Sequence, residues 1–69
     1  MRYVEPLTNR ELDCLRLAAN DKTMRETASA LCIGLETVKT HRNTLLQKLG
    51  CHTIAGALMV AIQQGLFER

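Results

Sequence analysis

The string Thr8-Asn9-Arg10-Glu11 returns, with only its second residue changed in character, as Thr23-Met24-Arg25-Glu26. Each is a capping box, in which the threonine hydroxyl accepts from the backbone N–H three residues on and the glutamate reaches back to the threonine N–H. Two helix starts this close together demand a short first helix. Cys14, Leu15 and Ala18 recur at helical spacing, Asp13 and Arg16 fall outside, and Asn20-Asp21 tolerate left-handed or turn geometry. Helix 1 is therefore predicted from about Asn9 to Ala19 or Asn20. Helix 2 begins at Met24 and ends near Leu31, before Gly34 intervenes, with Thr27, Ala28 and Leu31 inward. Helix 3 opens after Gly34, carries Val38, Leu45 and Leu49 on one side and stops at Gly50 as a left-handed end residue. A fourth helix is capped by Thr53 and ended by Gly65, with Leu66 supplying the hydrophobic contact of such an ending.

The expected fold is all-α with four helices. A short helix, a turn of about three residues and a longer helix form the helix-turn-helix pattern, with Ala28 and Val38 where it needs a small and a branched apolar residue. An ordinary helical hairpin shares that spacing but not a polar outer face on the longer helix. Composition agrees with helices: there is one Phe, one Tyr and no Trp, and the apolar content is carried by aliphatic side chains. With 69 residues there is room for one domain, read as residues 7–69 after a short extension, 1–6. The Met at position 1 favours a stand-alone chain over the end of a longer parent.

Charge is unevenly placed. Residues 1–36 hold five basic and six acidic side chains, whereas 37–69 hold four basic and one acidic. No Asp or Glu occurs from Thr37 to Phe67, while Lys39, Arg42 and Lys48 fall within one stretch, as a polyanion-binding surface requires. A merely solvated basic face is the competing reading of the charge alone.

The outer face of helix 3 separates the two. With Val38 at the origin, Leu45 and Leu49 lie within about 20° of it, and Glu36, Thr40, Asn43 and Gln47 fall near the opposite side. Lys39 lies on the flank. A cation, a hydroxyl and amides are the groups that reach guanine O6/N7, thymine methyl and adenine N6/N7 in a major groove. Lys39, Thr40 and Asn43 are thus the candidate base-facing residues. Thr37, His41 and Arg42 are placed for flanking phosphates, the N–H groups near Gly34 can receive one with help from the helix dipole, and Gln47 and Thr23 complete this set. His41 also suits partial burial between helices 1 and 3. Glu36 repels phosphate; it either satisfies the helix N-terminus or accepts from a cytosine amino group.

Other chemistries find little support. Cys14, Cys32 and Cys51 are odd in number and widely spaced, without a signal peptide, which points to reduced thiols and a cytoplasmic protein. With His41 and His52 they lack the spacing of a structural zinc site, so neither metal nor other cofactor is expected. No nucleophile, base and orienting group recur, and a chain this small has little room for a deep pocket, so no enzyme and no small-molecule ligand are expected. The longest apolar run, Ile54 to Ile62, is far short of a bilayer span, so no membrane partner is expected.

Leu7-Thr8-Asn9-Arg10-Glu11, Ala28, Leu31, Thr37-Val38-Lys39-Thr40-His41 and Lys48-Leu49-Gly50 together resemble the LuxR-type, or GerE-type, helix-turn-helix domain. The resemblance covers about residues 7–66. It implies a DNA-binding transcription regulator of bacteria, with helix 3 in the major groove and helix 4 as a two-fold dimer contact. It also implies the same base-facing residues, Lys39, Thr40 and Asn43, with Thr37, His41 and Arg42 nearer the backbone. Four positions depart from the family pattern: Gly34 for a serine cap, Thr27 for isoleucine, Asp21 for glycine and Ile54 for arginine.

On helix 4, Ile54, Leu58, Ala61 and Ile62 are expected to cover the core. Ala57, Met59 and Val60 widen the apolar surface, and a helix apolar nearly all round is buried on more than one side. Ala57, Met59, Val60 and Ala61 are therefore the candidate contact between two copies of the chain, unless the helix is simply central to a small core. The expected partners are double-stranded DNA, a second copy and RNA polymerase. The alternative is a protein-interaction module that pairs with another regulator or with polymerase and binds DNA weakly alone.

Overall fold

The computed structural model describes residues 6–67, so all of the expected extension but Pro6 lies outside it, as do Glu68 and Arg69. Four helices follow in order: α1 Asn9–Ala19, α2 Met24–Leu31, α3 Leu35–Leu49 and α4 Ile54–Gln64, with no strand among the described residues. The all-α expectation and all four helices hold. Both capping boxes form. Thr8 Oγ1 accepts from Glu11 N–H at 3.2 Å and Glu11 Oε1 from Thr8 N–H at 3.0 Å; the corresponding distances at Thr23 and Glu26 are 3.1 and 2.8 Å.

Every helix ends in one left-handed residue followed by an N–H that reaches back five residues around the turn. Gly50 (φ 69°) and Gly65 (φ 67°) end α3 and α4, with Cys51 N–H donating to Leu46 and Leu66 N–H to Ala61. Asp21 (φ 64°) does the same for α1, as Lys22 N–H donates to Leu17. α2 ends at Leu31 as expected, and its left-handed residue is Cys32 (φ 57°), with Ile33 N–H donating to Ala28. Gly34 has φ −74° and is the N-cap of α3, at the place where the resemblance put it, without a side-chain cap. The turn between α2 and α3 is therefore closed by α2's own ending.

The core is built from Cys14 and Leu15 of α1, Leu45 and Leu49 of α3, and Ala57 and Ala61 of α4. Leu7, Leu31, Leu58, Leu66 and Phe67 are among the half-buried side chains packed around it. Thr27 and Ala28 of α2 and Val38 of α3 are also buried. Removing Leu15, Leu45 or Leu49 from water stabilises the fold by about 2 kcal/mol each.

Two expectations change. On α4, Ala57 and Ala61 are fully buried in the chain's own core, Val60 is half-buried, and Met59 and Ile62 are 58% and 64% exposed. The helix is rotated from the expected setting because Leu15, Leu45 and Leu49 already fill the space it closes, leaving room there for methyl groups only. Ala57 and Ala61 are thus unavailable to a second copy, and Ile62 does not cover the core. The second change is Lys48, which does not join a polyanion-binding surface. Its Nζ lies 2.8 Å from Glu11 Oε1 and donates to Pro6 O at 3.3 Å, with side chains only 18% (Lys48) and 6% (Glu11) exposed. Burial alone pushes the Glu11 carboxyl up, but bonds from Lys48 and Thr8 N–H and the Lys48 charge bring it below its ordinary value.

Candidate nucleic-acid interface

The two sides of α3 have opposite surroundings. Val38, Leu45 and Leu49 are sealed against the rest of the domain. Glu36, Thr37, Lys39, Thr40, Asn43 and Gln47 are all exposed, so the three candidate base-facing residues share an open surface with Thr37 and Gln47 of the candidate phosphate contacts. The short α2 packs against α3 and supports it from behind.

Local hydrogen bonding defines what these groups can offer. Thr40 Oγ1 donates to Glu36 O at 3.1 Å, one turn back. Its proton is occupied within the helix, which leaves an acceptor oxygen and a methyl for a groove. Lys39 Nζ lies 3.4 Å from Glu36 Oε2, so Glu36, in the first turn of the helix, does not stand alone. Asn43 carries both a donor and an acceptor and is exposed.

The flanks are mixed. His41 and Arg42 are half-buried. Arg42 lies on the side facing α1, where its charge reaches Cys14. Burial pushes that thiol above its ordinary value, Asp13 adds to the rise, and Arg42 opposes it. At Thr23 the hydroxyl oxygen accepts from Glu26 N–H, which leaves its proton free to donate outward. At Gly34 no side chain covers the first N–H groups of α3.

Sequence reasoning missed the Glu36–Lys39 pair, although the i, i+3 spacing of opposite charges was a signal for it. It also missed Ile62 as a surface residue. The cysteines are unpaired thiols, Cys14 buried, Cys32 exposed and Cys51 half-buried. Among the described residues no three of His, Cys, Asp or Glu cluster as metal ligands, and no single helix is long and apolar enough to cross a membrane.

A short helix supporting a long one with a polar open face, closed by two flanking helices, defines a helix-turn-helix domain of DNA-binding transcription regulators. Residues 5–61 match the GerE family, "Bacterial regulatory proteins, luxR family", and the chain belongs to that family. It is 38% identical over 65 residues to the transcriptional regulatory protein MctR of Rhizobium johnstonii, covering 94% of this chain and 30% of MctR. It is 42% identical over 62 residues to the quorum sensing-dependent transcriptional regulator VjbR of Brucella ovis, covering 90% of this chain and 24% of VjbR. The chain thus spans less than a third of the length of these two relatives.

Among solved structures, the response regulator ChrA of a heme-sensing two-component system superimposes with a TM-score of 0.86 at 32% identity, over 94% of this chain and 32% of ChrA. The transcription factor GerE does so with a TM-score of 0.82 at 29% identity, over 86% of this chain and 88% of GerE. The family is one of transcription regulators, not of enzymes.

Proposed function

We propose that this domain reads double-stranded DNA by laying the outer face of α3 in the major groove, as one half of a two-fold pair on an operator of two half-sites. The observation that carries the reading is the division of α3: its apolar side is fully buried, while Lys39, Thr40 and Asn43 stand exposed together. Lys39 and Asn43 contact base edges, and Thr40 offers its methyl to thymine. Thr37, His41, Arg42, Gln47, Thr23 and the N–H groups at Gly34 hold the flanking phosphates.

Selection of bound sequences from a random duplex pool at low salt, followed by isotherms at several salt concentrations, tests this directly. A defined motif and a steep fall of affinity with salt are expected. Arg42→Ala should reduce the salt slope and keep the motif, whereas Asn43→Ala should alter the motif and keep the slope. The reverse result overturns the orientation of α3.

The pairing surface is α4, through Met59 and Ile62 rather than the buried Ala57 and Ala61. Among the described residues these two are the large apolar side chains left exposed, and they lie one turn apart on one face. A two-fold pair there aligns two α3 helices with half-sites about one DNA turn apart. Met59→Glu and Ile62→Glu should keep helical content and abolish cooperative occupation of a palindromic site. Unchanged cooperativity in both overturns the pair. The same apolar face favours a second reading, docking onto another regulator or RNA polymerase with weak binding to DNA alone. A selected motif with a steep salt slope excludes it.

A further inference from the structure

Resting on the reading that α3 enters the major groove, we infer that Glu36 and Lys39 act as one unit that recognises a single G·C base pair, Lys39 on guanine and Glu36 on cytosine. The unit is already assembled in the free protein, with Lys39 Nζ and Glu36 Oε2 3.4 Å apart on the open face of α3. In a G·C pair, guanine O6 and cytosine N4 are hydrogen-bonded to each other and so lie about 2.9 Å apart on the major-groove edge. An ammonium over O6 and a carboxylate over N4 match that edge in both spacing and polarity. Lysine supplies only donors and the carboxylate only acceptors, so the unit has one orientation on the pair.

The neighbouring atoms distinguish G·C from T·A, which also places an acceptor, thymine O4, beside a donor, adenine N6. On G·C the ammonium finds a second acceptor, guanine N7, and the carboxylate has no acceptor on its far side. On T·A the ammonium meets the thymine methyl, and the carboxylate faces adenine N7, acceptor against acceptor. The pair is also net neutral, so it adds little to phosphate attraction. Its contribution is to choice of sequence.

The test uses the full chain as wild type, Glu36→Ala and Glu36→Gln, with folding checked by circular dichroism. Sequences are selected from a random duplex pool, and affinities are then measured for all four base pairs at the position in question. The wild type should select one G·C pair per half-site. Glu36→Ala should reduce that preference about tenfold and tighten binding to other duplexes, because a repelling charge is gone and Lys39 is released. Glu36→Gln should move the preference toward A·T, since a carboxamide pairs with adenine N6/N7. If both variants tighten binding to every duplex by one factor and keep the motif, Glu36 is only a repelling charge and the inference fails alone. If the wild type selects no motif, the reading of α3 fails and this inference with it.

Discussion

The two ends of α3 each carry a Glu–Lys pair, and the chemistry of the pairs is the same while their surroundings are opposite. At the C-terminal end, Lys48 reaches Glu11 across 37 positions of sequence, at 2.8 Å and nearly out of solvent. At the N-terminal end, Lys39 reaches Glu36 across three positions at 3.4 Å, with side chains 47% and 87% exposed. Exposed pairs of this kind add almost nothing to stability, since water screens the attraction and two long side chains must be held still. A buried pair is different: without Lys48 the Glu11 carboxylate is nearly out of solvent with only the Thr8 N–H to bond. One end of the helix is anchored by its pair, and the other leaves its pair open to solvent.

The largest expected effect lies at the anchored end. Lys48→Met should destabilise the domain by about 1–3 kcal/mol, because Glu11 is left nearly out of solvent with only the Thr8 N–H as partner. For so small a domain that is a large fraction of the total stability. Urea unfolding followed by circular dichroism measures it, and a loss under about 0.5 kcal/mol would make the two ends alike. Acid should act on the same pair. Because the folded Glu11 carboxyl lies below its ordinary value, its stabilising contribution is complete above the ordinary carboxyl range and is lost as pH falls through the folded value. Glu11→Gln should flatten that acid limb, which unfolding curves taken at a series of pH values would reveal.

The open end should respond in binding and not in stability. Lys39→Ala is expected to change folding stability by less than about 0.5 kcal/mol and to lower affinity for the preferred site by about 1–3 kcal/mol, with relaxed choice at one position of each half-site. Equal weakening on every duplex would make Lys39 a phosphate contact and remove the contrast between base reading and anchoring.

The smallest effect concerns the bare start of α3. Gly34 has an extended backbone open to any residue, and the nearest atom to an added Cβ is Thr37 Oγ1 at 4.0 Å. Gly34→Ser should therefore add a side-chain cap and a few tenths of a kcal/mol. A rise in thermal midpoint without a change of motif would confirm that this end is set by local capping alone.

Much of this architecture was legible in the chain. Thr8, Thr23, Thr53, Gly50 and Gly65 mark helix ends through bonds between near neighbours, so their meaning survives without tertiary structure. Val38, Leu45 and Leu49 likewise fix which side of α3 is inward. Cys32 was not legible as an ending, because cysteine, unlike Gly, Asn or Asp, carries no preference for the left-handed region.

By itself, the sequence determined the four helices, their limits and the division of α3 into a buried and an open side. All of these depend on contacts within about one turn, which spacing alone encodes. Only the tertiary structure decided that Lys48 belongs to Glu11 and that α4 turns Ala57 and Ala61 inward while leaving Met59 and Ile62 outside. The first depends on two helices meeting far from one another in sequence. The second depends on how much volume three leucines leave for a helix apolar on nearly every side, a quantity that periodicity does not contain.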